Sequence, residues 1–427
     1  MSQRTFKQYT IEREVGKGGM ATIYLAHDQV TGRAVALKFL LPHISTNQAF
    51  VRQFMEEFRA NQLLKHPNIV ETIEGGEHEG QWFMAMEFLD GGSLKDLLRK
   101  GLRLPLDLAV HVVINVLKGL HHSHLSGIVH QDMKPANLMW QRDGSIKIAD
   151  FGISRIASPE LWTPTGRIKG TPAYMAPEQA KGQEPNYKWD LFSTGVVFYE
   201  LIAGSNPFSA KDPQDAIKKV LGESPPPLMR DNPAIPLELE RIVARMLQKD
   251  PDTRYLNVDT ILVELQRLTQ RLRLEYSQDV FRDWLTEPER VAQALAVRRS
   301  RALLEDGRKL LAKGRALADV GLWTVYRAAL VDRTNRDAAQ ALHEAAREHG
   351  FILQKSNSMA TQQVEKRLQA APDDIGLLLQ AARLHRADAN PLQTYYWARI
   401  ALSIAPLDDQ VRQQVEKVVG PGKLEHL

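Results

Sequence analysis

The chain has 427 residues, of which 43% are hydrophobic and 25% charged, and its formal net charge is +4. This length predicts two or three domains, and the ordinary composition argues against long disordered regions. The small charge gives nucleic-acid binding little support, and the absence of cysteine excludes disulfides, thiolate metal sites and cysteine nucleophiles. Because no signal-peptide core or long apolar run is present, we expect a cytoplasmic protein without a membrane segment.

Near the N-terminus, two β-rich runs surround a glycine cluster, a pattern that predicts an antiparallel sheet. Gly16, Gly18 and Gly19 would lie at the tip of the first hairpin, where a backbone without Cβ can approach phosphate oxygens closely. Hairpin tips are also glycine-rich for turn geometry alone, so the cluster is weak evidence by itself. Val15 and Ile23 bracket the turn and could cap a purine.

Lys38 ends the apolar run VALK, whereas an isolated lysine is more often a solvated surface residue. The next segment, residues 48–65, predicts a helix that offers Glu56 and Glu57 as partners for this lysine. Neighbouring residues on a helix point about 100° apart, so only one of the two glutamates can face inward.

The stretch IVHQDMKPANL, residues 128–138, combines three chemically distinct groups. Asp132 can accept a proton, Lys134 can hold a transferring phosphoryl group, and Asn137 offers an amide oxygen to a metal ion. Phosphoryl transfer uses all three. Asp150 follows at the end of a short β-like run; an Asp before Gly is commonly a turn former, but this spacing favours a second metal ligand.

These motifs resemble protein kinases, and the segments GGMATIYLA and DMKPANLM are most similar to the bacterial branch of the eukaryotic-type (Hanks-type) Ser/Thr kinases. The resemblance covers residues 9–268 and implies an α+β, bilobal fold with a β-rich N-lobe and a mainly helical C-lobe. It implies a Ser/Thr protein kinase that uses ATP with Mg²⁺, or alternatively Mn²⁺, and phosphorylates protein substrates and itself.

The same resemblance assigns roles to individual residues. It makes Asp132, Lys134, Lys38 and Glu57 catalytic, with Glu57 rather than Glu56 as the partner of Lys38, and it makes Asn137 and Asp150 metal ligands. Residues 87–89 would form the hinge that contacts adenine. The implied nucleotide-binding residues are Val15, Gly16, Lys17, Gly18, Gly19, Met20, Ala21, Thr22, Ile23, Ala36, Lys38, Glu87, Leu89 and Met139.

An activation segment is implied between Asp150 and the sequence APE. Thr171, in GTPAYMAPE, would shape the substrate platform, while Thr163 and Thr165 are the candidates for phosphorylation. Together with Lys134, this platform favours Ser or Thr over Tyr as the acceptor.

Two further matches have structural roles in the family: Asp190 would anchor the catalytic loop, and Arg254 would pair with Glu178. One position departs from the family, because Gln131 replaces an arginine that binds an activation-segment phosphate. A neutral amide cannot make that charged bidentate contact. We therefore expect less dependence on activation-segment phosphorylation, with control passing to the C-terminal region.

Several histidines raise the alternative of a metal site. His121 and His124 have a spacing that could place two ligands on one helical face, but no carboxylate completes a site at useful spacing. The kinase pattern instead places His124 and His130 as structural residues.

The C-terminal third is rich in Ala, Leu, Arg and Glu and predicts successive helices in residues 290–427. Residues 269–289 would connect them to the kinase region, with Phe281 and Trp284 as packing residues. Pro372 and Pro406 are separated by one tetratricopeptide period of about 34 residues. Such repeats would offer a docking surface for protein partners, whereas the alternative is a helical bundle without repeat function.

Two other functions remain open from sequence. A pseudokinase scaffold would bind partners through the helical C-terminus without turnover, although degenerate kinases usually lose a lysine or aspartate that this chain retains. A small-molecule kinase would generally lack the GTPAYMAPE platform.

Overall fold

The computed structural model describes residues 4–151, 172–353 and 358–427. Gly152 and the predicted activation-segment residues Thr163, Thr165 and Thr171 lie outside these described residues. The chain divides into two compact units. The first comprises Met1–Arg103, Val110–Glu223 and Gln248–Leu262, and the second comprises Leu104–Ala109, Ser224–Leu247 and Val263–Leu427.

The first unit begins with an antiparallel sheet in the strand order β1-β2-β3-β4-β6-β5. Its strands are β1 Arg4–Phe6, β2 Tyr9–Lys17, β3 Ala21–Asp28, β4 Ala34–Leu40, β5 Thr72–His78 and β6 Gln81–Glu87. The glycine cluster lies at the β2–β3 turn, which the backbone N–H of Gly18 closes by donating to the carbonyl oxygen of Ala21 at 2.8 Å.

The alternation of side chains along β4 explains why Lys38 faces a helix. Successive side chains of a strand point to opposite faces, and Val35, Leu37 and Phe39 belong to a core cluster with residues of the neighbouring strands. Leu40, two residues after Lys38, belongs instead to the cluster that includes Phe54 of helix α2, Gln48–Leu63. Lys38 therefore lies on the α2 face of the sheet.

A second, small sheet and several helices complete the described chain up to residue 222. The sheet contains β7 Gly92–Ser93, β8 Leu138–Trp140 and β9 Ile146–Ile148. The helices are α1 Pro42–Ser45, α3 Leu94–Arg99, α4 Leu106–Leu125, α5 Pro177–Ala180, α6 Lys188–Ala203 and α7 Pro213–Gly222, with 3-10 turns at Pro135–Asn137 and Pro172–Tyr174. Most side chains of α6 are buried, so it forms the centre of this part.

The second unit is helical in the described chain. Its helices are α8 Leu228–Asp231, α9 Leu237–Met246, α10 Val258–Leu272 (shared with the first unit), α11 Gln278–Thr286, α12 Pro288–Leu311, α13 Ala318–Val331, α14 Arg336–His349, α15 Met359–Ala370, α16 Ile375–Ala387, α17 Pro391–Ile404 and α18 Asp409–Val419, followed by the 3-10 turn Leu424–His426. Together with the sheets, these helices confirm the predicted α+β class.

Local sequence explains the helix pairs at the C-terminus. Each second helix is capped by a side-chain oxygen that accepts from the backbone of its first turn: Asn335 caps α14, Asp374 caps α16 and Asp408 caps α18. Pro372 and Pro406 lie in the turns before α16 and α18. The tetratricopeptide interpretation of these pairs stays a prediction.

Phe281 and Trp284 of α11 are both buried, with ring centroids 5.9 Å apart. They contribute to the core of the second unit. No helix in the described chain has both the length and the apolar character needed to cross a membrane.

Glu178 and Arg254 form a buried ion pair in the first unit. Arg254 donates from Nη1 and Nη2 to the two carboxylate oxygens of Glu178, both at 2.6 Å. Its Nε also donates to the carbonyl oxygen of Gln248 at 2.6 Å. The guanidinium thereby links the start of α5 to the segment before α10.

We expect Arg254→Leu to lower the free energy of unfolding by about 3–5 kcal/mol, because Glu178 would remain buried without its cation. Thermal unfolding of the full chain, followed by circular dichroism, measures the effect. The matched control is Lys218→Leu, which removes the exposed pair with Asp215. A change for Arg254→Leu no larger than that of the control would contradict the prediction.

Candidate active site

Lys38 lies between two carboxylates. Its Nζ donates to Oε1 of Glu57 at 2.8 Å and to Oδ1 of Asp150 at 2.9 Å. On α2 the inward positions are Phe54, Glu57, Phe58 and Asn61, as a helical period requires. Glu56 is exposed. The structure thus brings Lys38 together with Glu57 and Asp150.

Lys38, Glu57 and Asp150 shift one another's pKa values. Burial disfavours the charged form of Lys38, but the carboxylates of Asp150 and Glu57 outweigh burial and raise its pKa above the usual value. Lys38 in turn lowers the pKa of Asp150. Burial raises the pKa of Glu57 in spite of the opposing effect of Lys38. Asp150 is therefore held as an anion at neutral pH, beside a permanent cation.

The segment after α4 brings the second group of predicted residues together. Oδ2 of Asp132 accepts from Nζ of Lys134 at 2.5 Å and from Nδ2 of Asn137 at 3.3 Å. Nδ2 of Asn137 also donates to the backbone oxygen of Asp132 at 2.8 Å, and Nδ1 of His130 accepts from the backbone N–H of Asp132 at 3.2 Å. The orientation of the Asp132 carboxylate is thus fixed from several sides.

Asp190 holds the backbone of this loop. Its fully buried carboxylate accepts from the backbone N–H groups of His130 and Gln131, both at 2.8 Å, and from Nε2 of His124 at 2.8 Å. These bonds fix a loop in which Gln131 has a φ of 67°. Asp150 also has a positive φ, of 53°. Non-glycine residues rarely adopt this conformation, and surrounding contacts must maintain it.

Gln131 is buried, and its side-chain Oε1 has no hydrogen-bond partner within the described residues. Its backbone oxygen accepts from Nε2 of Gln179 at 2.9 Å. Sequence reasoning does not select Gln179, because nothing in the residues around it signals a contact with a loop so far away in the chain. The family motif APE, which directly precedes it, is the only available signal.

The glycine turn has room that the protein itself does not fill. A Cβ added at Gly19 would meet no atom within 4 Å, and one at Gly16 or Gly18 would meet only ordinary van der Waals contacts. No positive φ requires glycine at these positions. The space therefore fits a ligand that approaches the backbone closely, as phosphates do in glycine-rich loops.

The other predicted nucleotide-binding residues line the strands beside this turn. Gly16 pairs with Ile23, Ile23 with Lys38, and Ala36 with Met86. Val15 is exposed at a register shift of β2, and Lys17 is exposed at its end, whereas Ala21 and Thr22 are buried. Met20 and Met139 are partly buried.

The predicted hinge follows β6. Oε1 of Glu87 accepts from Nζ of Lys147 at 2.6 Å and from the backbone N–H of Glu71 at 2.8 Å, so the Glu87 side chain is engaged within the protein. No hydrogen bond between described residues uses the backbone N–H of Leu89.

Asn137 and Asp150 are connected through the backbone, because the N–H of Ala149 donates to the carbonyl oxygen of Asn137 at 2.8 Å. Side-chain oxygens of this kind suit Mg²⁺, which usually takes one or two protein ligands and completes its shell with water and phosphate. No cluster of three or more His, Asp or Glu side chains suited to a metal exists among the described residues. The pair fits a metal held jointly with a nucleotide.

A sequence model of the protein kinase domain matches residues 9–263. The chain belongs to the protein kinase family. The crystal structure of the PknI kinase domain of Mycobacterium tuberculosis is similar, with a TM-score of 0.51 and 26% identity, and the similarity covers 62% of this chain and 98% of that one. The predicted kinase fold is confirmed.

Curated relatives are bacterial kinases. A probable serine/threonine-protein kinase of Streptomyces coelicolor is 37% identical over 265 residues, 61% of this chain and 39% of the relative. The serine/threonine-protein kinase PrkC of Bacillus subtilis is 34% identical over 255 residues, 60% of this chain and 39% of the relative. The matched part of this chain therefore spans about two fifths of the length of these relatives.

We expect Asp190→Asn to destabilise the protein, because the amide would turn an N–H donor toward donors that now bind a carboxylate. The expected loss is about 1–3 kcal/mol for each buried group left unsatisfied. Thermal unfolding measures it. The control is Asp252→Asn, the same change at an exposed carboxylate that pairs with Lys188. Equal midpoints for the two variants would contradict the role of Asp190.

Proposed function

We propose that this chain is an ATP-dependent Ser/Thr protein kinase that transfers the γ-phosphoryl group of Mg-ATP to protein hydroxyls, including its own. The observation that carries the proposal is the contact of Lys38 with Glu57 and Asp150, because family kinases use this lysine and this aspartate to hold the phosphates and the metal. The names of the bacterial relatives support the same activity and the same class of acceptor.

Each residue has a distinct task in this proposal. Asp132 orients the acceptor hydroxyl and takes its proton, while Lys134, 2.5 Å from the same carboxylate, stabilises charge on the transferring phosphoryl group. Lys38 holds the α- and β-phosphates, and Glu57 keeps Lys38 in position. Mg²⁺, when bound with ATP, neutralises charge on the phosphate oxygens. Catalysis is then mainly positioning and electrostatic stabilisation.

Asn137 and Asp150 would hold the metal, for which Mg²⁺ is the proposed ion and Mn²⁺ the alternative. The glycine turn and Lys38 would hold the phosphates, with adenine against Ala36 and the 87–89 hinge. Nucleotide binding with Mg²⁺, Mn²⁺ or EDTA in turn tests the metal assignment. Equal affinity in EDTA and in Mg²⁺ would count against it.

We further propose residues 9–268 as the kinase domain, 269–289 as the connection and 290–427 as a helical domain that docks protein partners in the cytoplasm. The paired helices α15–α18 support a repeat-like surface. A pull-down with the full chain tests this proposal. A partner whose capture is unaffected by substitutions on these helices would argue against docking there.

Asp132→Asn should lower kcat by about 10²–10⁴-fold, because it removes the proton acceptor and leaves the shape of the loop. Transfer of labelled phosphate from ATP to a generic protein substrate measures the loss, and fluorescence titration should show nucleotide affinity unchanged. Asp143→Asn, in the exposed turn between β8 and β9, is the matched control. A wild-type chain that binds nucleotide without transferring label would instead support the pseudokinase scaffold.

The double substitution Thr163→Ala with Thr165→Ala should keep activity within about twofold of wild type, because Gln131 cannot form a bidentate, charge-assisted contact with a phosphothreonine. The neutral, buried side chain of Gln131 supports this expectation. Initial rates of label transfer by the two proteins measure it. Loss of nearly all activity in the double variant would show that phosphorylation of this segment controls the enzyme.

A further inference from the structure

Four arginines line a small cavity in the second unit. It lies beside helices α10, α12 and α13 and the residue that precedes α9, and has a volume of about 30 Å³. Its charged lining residues are Arg271, Arg273, Arg299, Arg327 and Asp306. A water molecule needs about 10–15 Å³ of such volume, so the cavity has room for a compact group larger than one water.

Arg327 is the unusual member of this lining. It is only 8% exposed, and its Nε is buried without a hydrogen-bond partner. Within the described part of the chain its guanidinium makes no hydrogen bond and no ion pair. Burial lowers the pKa of Arg327 to about 10, with Arg299 and Arg271 acting in the same direction against Glu238. Arg327 is therefore still a cation at neutral pH.

Arg399 of the same unit shows how the terminal nitrogens of a buried arginine are satisfied, although its Nε, like that of Arg327, has no hydrogen-bond partner within the described residues. It is 1% exposed, and it donates to the carbonyl oxygens of Pro233 and Ile235 at 2.8 and 2.5 Å. Its guanidinium also lies over the ring of Trp323, 5.2 Å from the centroid. Arg327 has no such acceptors. A buried cation without acceptors is costly, which suggests that the acceptors come from a ligand.

The neighbouring carboxylates are engaged elsewhere. Arg273 donates to Glu305 at 3.2 Å and to Asp306 at 2.9 Å, so Asp306, the acidic residue of the lining, already has a cation. Glu238 pairs with Arg271. Neither interaction supplies an acceptor to Arg327.

Arg299 has a distant partner. The nearest carboxylate oxygen, Oδ2 of Asp107, is 3.8 Å from its Nη1 and has no hydrogen-bond partner within the described residues. Asp107 instead accepts from the backbone N–H of Glu275 through Oδ1, at 2.9 Å. Arg299 and Arg327 thus leave guanidinium donors unmatched around one small space.

We propose that this cavity binds the phosphate group of a small molecule, held by Arg271, Arg299 and Arg327. Guanidinium groups donate in a planar fork that matches oxyanions, and several forks around one point match the three terminal oxygens of a phosphate better than the two of a carboxylate. A second cavity, of about 440 Å³, shares Arg271 and Asp306 with the first. Its further lining residues include Lys309 and His426, and it provides room for the rest of a phosphate ester.

Titration calorimetry on the full chain, at constant ionic strength, tests the site with inorganic phosphate, glycerol 3-phosphate and acetate. We expect saturable binding of phosphate and weak or no binding of acetate. Tighter binding of glycerol 3-phosphate would identify an esterified ligand, and equal binding would identify free phosphate; both results support the site. Acetate that binds as well as phosphate, or no saturable heat with either phosphate compound, would overturn the proposal.

Single substitutions test whether phosphate binds in this cavity. Arg327→Met should weaken phosphate binding at least tenfold, and Arg327→Lys, which keeps the charge but loses the fork, should weaken it less. Arg308→Met is the matched control, because this arginine is an exposed residue of α12 outside the lining and should not change the affinity. Lys38→Met separates the site from the nucleotide pocket: phosphate binding should survive it. Binding that disappears with Lys38→Met but persists in Arg327→Met would refute the assignment.

A measurement on the wild type keeps the proposal testable if Arg327→Met does not fold. Phosphate should slow the hydrogen exchange of backbone amides in α12 and α13, and acetate should not. Unchanged exchange in both helices at a saturating phosphate concentration would mean that the cavity holds water only.

Discussion

The contact between Lys38 and its two carboxylates constrains much of the first unit. A lysine ammonium is costly to bury unless anions compensate it, so β4, α2 and the segment at Asp150 must approach one another for this contact to form. The alternation of β4 and the helical period of α2 direct Lys38 and Glu57 toward each other. Asp150 completes the set from a residue with a positive φ.

The loop that carries Asp132 is held by a different interaction. The buried carboxylate of Asp190 accepts hydrogen bonds from two backbone N–H groups of this loop. Asp190 allows Gln131 to keep a left-handed conformation, and Gln179 binds the other side of the same residue. The loop is thereby shaped without any charge at Gln131. This arrangement is compatible with a kinase whose loop geometry does not depend on phosphorylation of the activation segment.

Sequence predicted the parts of the fold that depend on local pattern. The glycine turn follows from the alternation of the flanking strands, and the helical period allows only one of Glu56 and Glu57 to face inward, of which the kinase resemblance selected Glu57. The successive helices of the C-terminal region follow from its composition. The roles of the site residues remain predictions. The bond from Gln179 and the cavity around Arg327 could not be predicted, because they join residues far apart in sequence and no spacing rule encodes them.

The division of the chain into two units affects how a truncated protein that lacks Arg399 would behave. This residue binds carbonyl oxygens at 233 and 235, which belong to the matched kinase sequence but lie in the second unit with the C-terminal helices. Cutting the chain after the kinase motif would remove the arginine and leave those carbonyls without their donor. A shortened protein would therefore lack the C-terminal helices and also have unsatisfied carbonyl oxygens in its kinase sequence. Its loss of activity could not be attributed to lost regulation alone.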